Sequence, residues 1–213
     1  GWYAIVEPDG STASVNQRER IVKFPGKRSK GDYTYHDLRA ILAHEIGVHV
    51  MRALSANRIG SFVLSVGLPG YEAFEEGLAV AVEQAVNQEY MHPGYRHYLN
   101  ISFALFEHMD FRDVYTKALE IWGDTEENRK VVFDSVQRAF RGTGELINSK
   151  DLVYYNGAEI FWKYIENHIE EKNIISSLFE FGKIDNSRKD HVAIADGIFQ
   201  ETRSRNNSTS YLS

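Results

Sequence analysis

The sequence contains no cysteine among its 213 residues. Disulfide bonds, thiolate metal sites and thiol nucleophiles are therefore excluded, and any metal must be held by histidine and carboxylate side chains. Long apolar runs are also missing, since stretches such as Leu78–Val82 are far shorter than the roughly 18 residues of a membrane-spanning helix. The first residues of the sequence do not show the signal-peptide pattern of basic residues followed by an apolar run. We therefore expect no membrane insertion and a cytoplasmic location.

A strong excess of one charge sign is missing as well. The 24 Lys and Arg residues stand against 30 Asp and Glu residues, which gives a net charge of −6 on a chain that carries both signs throughout. Nucleic acid is therefore not an expected partner, because its binding needs a basic surface. One local basic pocket for an anionic group remains compatible with this balance.

The apolar spacing predicts a mainly α fold of the α+β class in a single domain over 1–213. Three short strands of a small N-terminal sheet are predicted at Trp2–Val6, Ala13–Asn16 and Arg20–Phe24. With a polar loop they occupy residues 1–30, and a helical body follows over 35–200. Residues 201–213 are rich in Ser, Asn, Arg and Thr, which predicts a frayed tail.

Two helices of the body matter most for function. The first begins near Tyr35 and runs to about Leu54. The second carries Phe74 and Leu78 and is apolar nearly all round, which predicts a buried position. A later helix is predicted to be capped by Asp124, with Glu127 three residues on.

The first helix contains His44-Glu45-Ile-Gly-Val-His49, two histidines five positions apart. Residues five apart in an ideal α-helix point about 140° away from each other, so the two imidazoles would not share a face. A π-type turn would bring His44 and His49 onto one side, and such turns cluster at functional sites. Gly47 lies inside the segment and would ease the adjustment. The alternative to a metal site is that one histidine is hydrogen-bonded in the core and the other lies at the surface.

A glutamate pair, Glu75-Glu76, leads into the second, buried helix. An ionised carboxylate there costs several kcal/mol unless a cation or hydrogen bonds compensate for it. Two histidine nitrogens and one carboxylate oxygen would make three zinc ligands and leave a fourth position for water. From spacing alone either glutamate can be the ligand, and an ordinary first-turn acid favoured by the helix dipole is the alternative for both.

These motifs resemble the microtubule-associated tyrosine carboxypeptidases and their bacterial relatives named for a Gln-Glu-Gly-Leu-Ala motif. This chain reads Glu75-Glu-Gly-Leu-Ala79 at that place. Further resembling segments follow the family's order: Arg20–Lys23, His44–His49, Arg138–Gly142, Lys150–Gly157 and Leu178–Lys183. The resemblance implies a helical, zincin-like catalytic domain that holds Zn²⁺ through His44, His49 and Glu76, with Glu45 in the catalytic position.

The resemblance also implies hydrolysis of the last peptide bond of a peptide or protein C-terminus, with release of tyrosine or another aromatic residue. Glu45 would act as the general base toward a zinc-bound water and then protonate the leaving amine. The chain has Glu75 where the bacterial motif has Gln and shows no microtubule-binding extension, so tubulin as substrate is not supported by the sequence.

A carboxypeptidase needs a cation for the terminal carboxylate of its substrate. Three substrate-binding candidates share this charge: Arg138, Arg141 and Lys150. Tyr154 is the catalytic candidate for donating a hydrogen bond to the developing oxyanion, and Tyr155 is the candidate for a pocket that accepts a ring. Each has a structural alternative, namely a solvent-exposed cation or a ring packed in the core.

Two other classes stay open. A zinc-stabilised module that binds a partner without cleaving it would have no need of Glu45. An aminopeptidase or endopeptidase could use the same metal site, because motif spacing does not define which end of a peptide enters. Histidine and carboxylate ligands also suit divalent ions other than zinc.

Overall fold

The computed structural model describes residues 1–10, 12–27, 32–90, 93–141 and 146–209, without the side chains of 205–209. Three parts of the sequence predictions lie outside these described residues: 28–30 of the N-terminal loop, Gly142 of one resembling segment, and 210–213 of the tail.

The N-terminal residues form a three-stranded sheet in the order β1-β3-β2. Its strands are β1 (Tyr3–Glu7), β2 (Ser14–Asn16) and β3 (Ile21–Pro25). The central strand β3 pairs in parallel with β1, Tyr3 opposite Ile21, and antiparallel with β2, Ser14 opposite Lys23. The sequence predicted all three strands to within one residue at each end.

Helices make up most of the remaining described chain, which confirms the mainly α (α+β) class. They are α1 (Tyr35–His44), a π-helix (Glu45–Val50), α2 (Met51–Ile59), α3 (Phe62–Val66), α4 (Glu72–Asn87), α5 (Tyr95–Phe106), α6 (Phe111–Trp122), α7 (Glu126–Phe140), a 3₁₀ turn (Ser149–Asp151), α8 (Leu152–His168), α9 (Ile174–Ser177) and α10 (Lys189–Thr209). Within the described residues, no helix has both the length and the apolar character to span a membrane.

The chain forms two compact units, of which the first comprises Gly1–Met91 and Gly157–Ser213. Its main core is built on α4, whose fully buried Phe74 packs edge-on against Phe161 and Tyr164 of α8 at ring distances of 5.6 and 5.3 Å. Leu78 and Val48 join the same cluster. The buried position predicted for this helix is confirmed.

Gly77 lets α4 and α8 approach closely. A Cβ atom placed on Gly77 would lie 2.0 Å from the carbonyl oxygen of Gly157, and one on Gly157 would lie 2.1 Å from the carbonyl oxygen of Ala73. Neither distance is sterically allowed, so the crossing requires glycine on both helices. Gly77 thereby fixes the position of the helix that carries Glu75 and Glu76.

The second unit, His92–Asn156, has a core of its own from α5, α6 and α7. Its buried members are Ala104, Val114, Ala118, Val132 and Val136. That residues 1–213 form one catalytic domain stays a prediction from the sequence.

One local sequence prediction needs correction. The cap of α7 is Thr125, whose hydroxyl accepts a hydrogen bond from the Asn128 backbone N–H, whereas Asp124 pairs with Arg129. Helix α10 continues past residue 201, where the tail is predicted to begin, as far as Thr209, and the fraying of this tail stays a prediction. The hydroxyl of Thr202 there donates a hydrogen bond to the carbonyl oxygen of Ile198 inside the helix.

Candidate metal centre

The two histidines of the first motif meet on one side of a distorted helix. A π-helix over Glu45–Val50 joins α1 to α2 without a break, since the residues on both sides of it keep right-handed helical backbone angles. The imidazole centroids of His44 and His49 are 5.0 Å apart. This confirms the π-type turn predicted from the five-residue spacing, because the wider turn absorbs the extra residue.

Helix α4 brings Glu76 to these two rings. One carboxylate oxygen, Oε2, lies 3.3 Å from His44 Nε2, and the other, Oε1, lies 3.9 Å from His49 Nε2. One ligand atom from each of the three residues can be chosen so that all lie within 4.8 Å of one another. Glu76 Oε2 is buried and has no hydrogen-bond partner among the described residues.

This arrangement fits a divalent cation. A buried carboxylate oxygen without a donor costs free energy, and a cation between it and the two Nε2 atoms would remove that cost. Two imidazole nitrogens and one carboxylate oxygen are also a frequent ligand set of catalytic zinc. The residues present are thus chemically suited to the ion that the resemblance implies.

The other ring nitrogens of both histidines face carboxylates from α4. His49 Nδ1 lies 2.7 Å from Glu75 Oε1, and His44 Nδ1 lies 3.3 Å from Glu83 Oε2. Histidine ligands of metals usually donate their second N–H to such an acceptor, which directs the remaining lone pair at the ion. Burial lowers the pKa of His44, but Glu76 and Glu83 outweigh it and raise that pKa to about 10.

Glu75, the ligand alternative left open by spacing, points away from the cluster into a buried ionic network. Arg52 Nη1 lies 3.2 Å from its Oε2, and Lys183 Nζ lies 2.8 Å from its Oε1. Burial would raise the pKa of Glu75, but the hydrogen bond from His49 and the charges of Arg52 and Lys183 lower it to about 2. The geometry therefore favours Glu76 as the ligand.

Glu45 is buried beside the two histidines. Burial raises the pKa of its carboxyl group, and the charges of His44 and His49 oppose that rise in part. It forms no hydrogen bond or ion pair within the described part of the chain. Its carboxylate is thus not engaged by another described side chain.

The five predicted catalytic and substrate-binding residues outside the motif lie in the second unit. Arg138 already binds the buried carboxylate of Asp151 through two hydrogen bonds, of which Nη2 to Oδ1 measures 2.7 Å. Arg141 and Lys150 are exposed, and Arg141 lines an open cavity of about 470 Å³ with Phe111 and Phe140.

Tyr154 and Tyr155 are both half-buried at the start of α8. The ring of Tyr155 stacks on Tyr98 at a centroid distance of 4.0 Å. Such stacking matches the packing alternative considered for one of the two rings. The roles proposed for Arg138, Arg141, Lys150, Tyr154 and Tyr155 stay predictions.

Sequence reasoning missed Arg52, Lys183 and Glu83. Glu83 follows Glu76 by seven positions, which places both on one helix face and was a usable signal. Arg52 follows His49 by three positions, so helical periodicity also predicts that the two side chains are neighbours on the helix surface. Lys183 is distant in sequence, and only the tertiary fold places it at Glu75.

Fold and site together define a mainly helical protein with a candidate metal centre of two histidines and a glutamate. A family model described as "Microtubule-associated tyrosine carboxypeptidase" matches residues 28–201. The chain belongs to this family, and membership implies a peptidase of the carboxypeptidase type. No curated protein and no solved structure shows a significant match to the chain.

Proposed function

We propose that this protein is a zinc-dependent carboxypeptidase that removes the last residue, tyrosine or another aromatic, from a peptide or protein C-terminus. The observation that carries the proposal is the cluster of His44 Nε2, His49 Nε2 and Glu76, whose Oε2 atom is buried and forms no hydrogen bond within the described residues. Family membership supplies the reaction class. A bound zinc ion would supply a Lewis acid for the scissile carbonyl and lower the pKa of a coordinated water.

The chain's own residues have separate tasks in this proposal. His44, His49 and Glu76 hold the ion, while Glu75 and Glu83 accept hydrogen bonds from the far ring nitrogens of the histidines. The Glu45 carboxylate accepts a proton from the attacking water and delivers it to the nitrogen of the leaving residue. Water adds to the carbonyl carbon, the C–N bond breaks, and the products are a new C-terminal carboxylate and a free amino acid.

The raised pKa of Glu45 suits this role, because a more basic carboxylate takes a proton from water more readily. Its burial beside the two histidines also limits competing contacts with solvent.

The test compares two peptides of one sequence ending in Glu-Tyr, one with a free carboxylate and one amidated, with products identified by mass spectrometry. We expect the wild-type protein to contain about one zinc per chain and to release tyrosine from the free acid only. Equal cleavage of the amidated peptide would instead indicate an endopeptidase. Cleavage from the amino end would indicate an aminopeptidase.

A Glu76→Ala variant serves as the ligand control and should lose both zinc and tyrosine release. Stoichiometric zinc in the wild type without cleavage of any peptide would favour the non-hydrolytic binding module. A wild type that binds no divalent metal would contradict the proposal.

A further inference from the structure

The carboxylate of Glu75 is enclosed by three donors from two segments of the chain, namely His49 and Arg52 of one continuous helical stretch and Lys183 far along the sequence. His49 Nδ1 lies 2.7 Å and Lys183 Nζ lies 2.8 Å from its Oε1 atom. Arg52 Nη1 lies 3.2 Å from its Oε2 atom. Only 2% of the residue is exposed. In the proposed mechanism Glu75 neither ligates the metal nor transfers the proton, and its contact with the cluster is the one to His49 Nδ1.

The identity of the donors fixes the tautomer of His49. Lys and Arg side chains can only donate hydrogen bonds, so a carboxylate between two such cations acts as an acceptor on both oxygens. His49 Nδ1 must therefore carry the hydrogen in its contact with Glu75. In a neutral imidazole this leaves the lone pair on Nε2, the atom that lies 3.9 Å from Glu76 Oε1 in the cluster.

The acceptor is itself held in place by the fold. Arg52 is fully buried, and its Nη2 donates to the carbonyl oxygen of Ile184 at 2.7 Å and to Asn186 Oδ1 at 3.1 Å. The corresponding partner of His44 is held less firmly, because Glu83 is 3.3 Å away and 42% of its side chain is exposed. His49 is therefore held in its orientation more firmly than His44.

We propose that Glu75 is a positioning residue, which fixes His49 with its Nε2 lone pair directed into the metal cluster, and that Arg52 and Lys183 hold Glu75 for this purpose. This inference rests on the proposed function, since it requires that the cluster binds metal. It predicts that the acceptor at position 75 controls metal affinity without contacting the ion.

The experiment measures the dissociation constant for zinc by competition with a coloured chelator. In Glu75→Met the acceptor is lost, and we expect zinc binding to weaken about 10–100-fold, the range usual for loss of such a partner. In Glu75→Gln the loss should be smaller, because the amide oxygen can still accept from Nδ1, although the NH₂ group then faces the donor Arg52 and cannot accept its hydrogen bond. Glu72→Met, a change at an exposed acid in the same first turn of α4, should bind zinc like the wild type.

A second measurement separates positioning from general damage to the fold. In zinc-loaded, ¹⁵N-labelled wild type, the Nδ1–H proton of His49 should exchange slowly with water, and in Glu75→Met it should exchange faster while backbone amides of α4 stay protected. If Glu75→Met does not fold, Glu75→Met combined with Lys183→Met removes one charge of each sign, and the same loss of affinity is expected.

The outcomes of these measurements distinguish the positioning role of Glu75 from the proposed function of the protein. Wild-type zinc affinity in a folded protein that lacks the acceptor would overturn the positioning role while the proposed function stands. A wild type that binds no zinc would overturn the proposed function, and this inference with it. The graded order of wild type, Gln and Met would support it.

Discussion

At the scale of single residues, the two candidate arginines Arg138 and Arg141 differ in whether they already form an ion pair within the protein. Arg138 is one-third exposed and neutralises the buried carboxylate of Asp151. Arg141 follows α7, is exposed, and forms no ion pair with another described residue. A terminal carboxylate of a substrate would compete with Asp151 for Arg138 but would meet no such competitor at Arg141.

We expect Arg138→Met to lower the free energy of unfolding by about 1–3 kcal/mol, because it leaves the buried Asp151 without its partner. Arg141→Met should change it by less than about 0.5 kcal/mol, as is usual for surface substitutions. Urea denaturation of both variants measures the difference. An equal loss of stability in the two would contradict this distinction.

Arg141→Glu tests the substrate role that the sequence predicts. If the guanidinium binds the terminal carboxylate, KM for a free-acid peptide should rise roughly tenfold or more, since a hydrogen bond to a charged group contributes about 1.5–3 kcal/mol. The exposed Lys150, changed to Glu, provides the comparison. Wild-type kinetics in Arg141→Glu would remove it from the candidates.

The choice between Glu75 and Glu76 marks the limit of sequence reasoning at this scale. Neighbouring residues in an α-helix point about 100° apart, so Glu75 and Glu76 cannot both face His44 and His49. Which one faces His44 and His49 depends on how α4 packs, and spacing carries no such information. The buried cations Arg52 and Lys183, contributed by distant segments, take up Glu75.

At the scale of secondary structure elements, patterns with a clear period were predictable and mixed patterns were not. The five-residue histidine spacing predicted the π-helix, and the apolar surface of α4 predicted its burial. Helix α5 was not predicted individually, because its buried face includes the polar Asn100. Helix α3 has only five residues between Ser61 and Gly67, too short for a periodic signal.

Gly77→Ala tests the close crossing of α4 and α8. Alanine favours a helix over glycine by about 1 kcal/mol, but its Cβ would meet the Gly157 carbonyl at 2.0 Å. We expect the free energy of unfolding to fall by about 1–3 kcal/mol or more, as in other overpacked interiors. Gly197→Ala is the matched control, because it lies in α10 with nothing within 4 Å of the new Cβ, and it should be neutral or stabilising. A stabilised Gly77→Ala protein would contradict the crossing.

At the scale of the whole molecule, the mainly α class and the small sheet could be predicted, since both follow from local periodicity. The division into two compact units could not, because it depends on contacts between distant segments. The predicted substrate-binding residues all fall in the second unit, whereas the cluster of His44, His49 and Glu76 belongs to the first.

Zinc should stabilise the folded protein by mass action, because the cluster joins residues from α1, the π-helix and α4. A free zinc concentration of about 1,000 times the dissociation constant adds about 4 kcal/mol. For a chain of this length each kcal/mol raises Tm by about 2–4 °C. Calorimetry with and without a chelator should therefore show a clear decrease of Tm on chelation in the wild type and none in Glu76→Ala. An unchanged wild-type Tm would argue against metal binding by the native fold.

The central claim is that the cluster holds zinc while Glu45 moves the proton, and one paired measurement separates these tasks. Zinc content and the rate of tyrosine release are determined on the same preparations of wild type and Glu45→Gln. We expect about one zinc per chain in both, with kcat in Glu45→Gln lower by about 10²–10⁴-fold, the usual contribution of a general base. Near-normal turnover in zinc-loaded Glu45→Gln would contradict it.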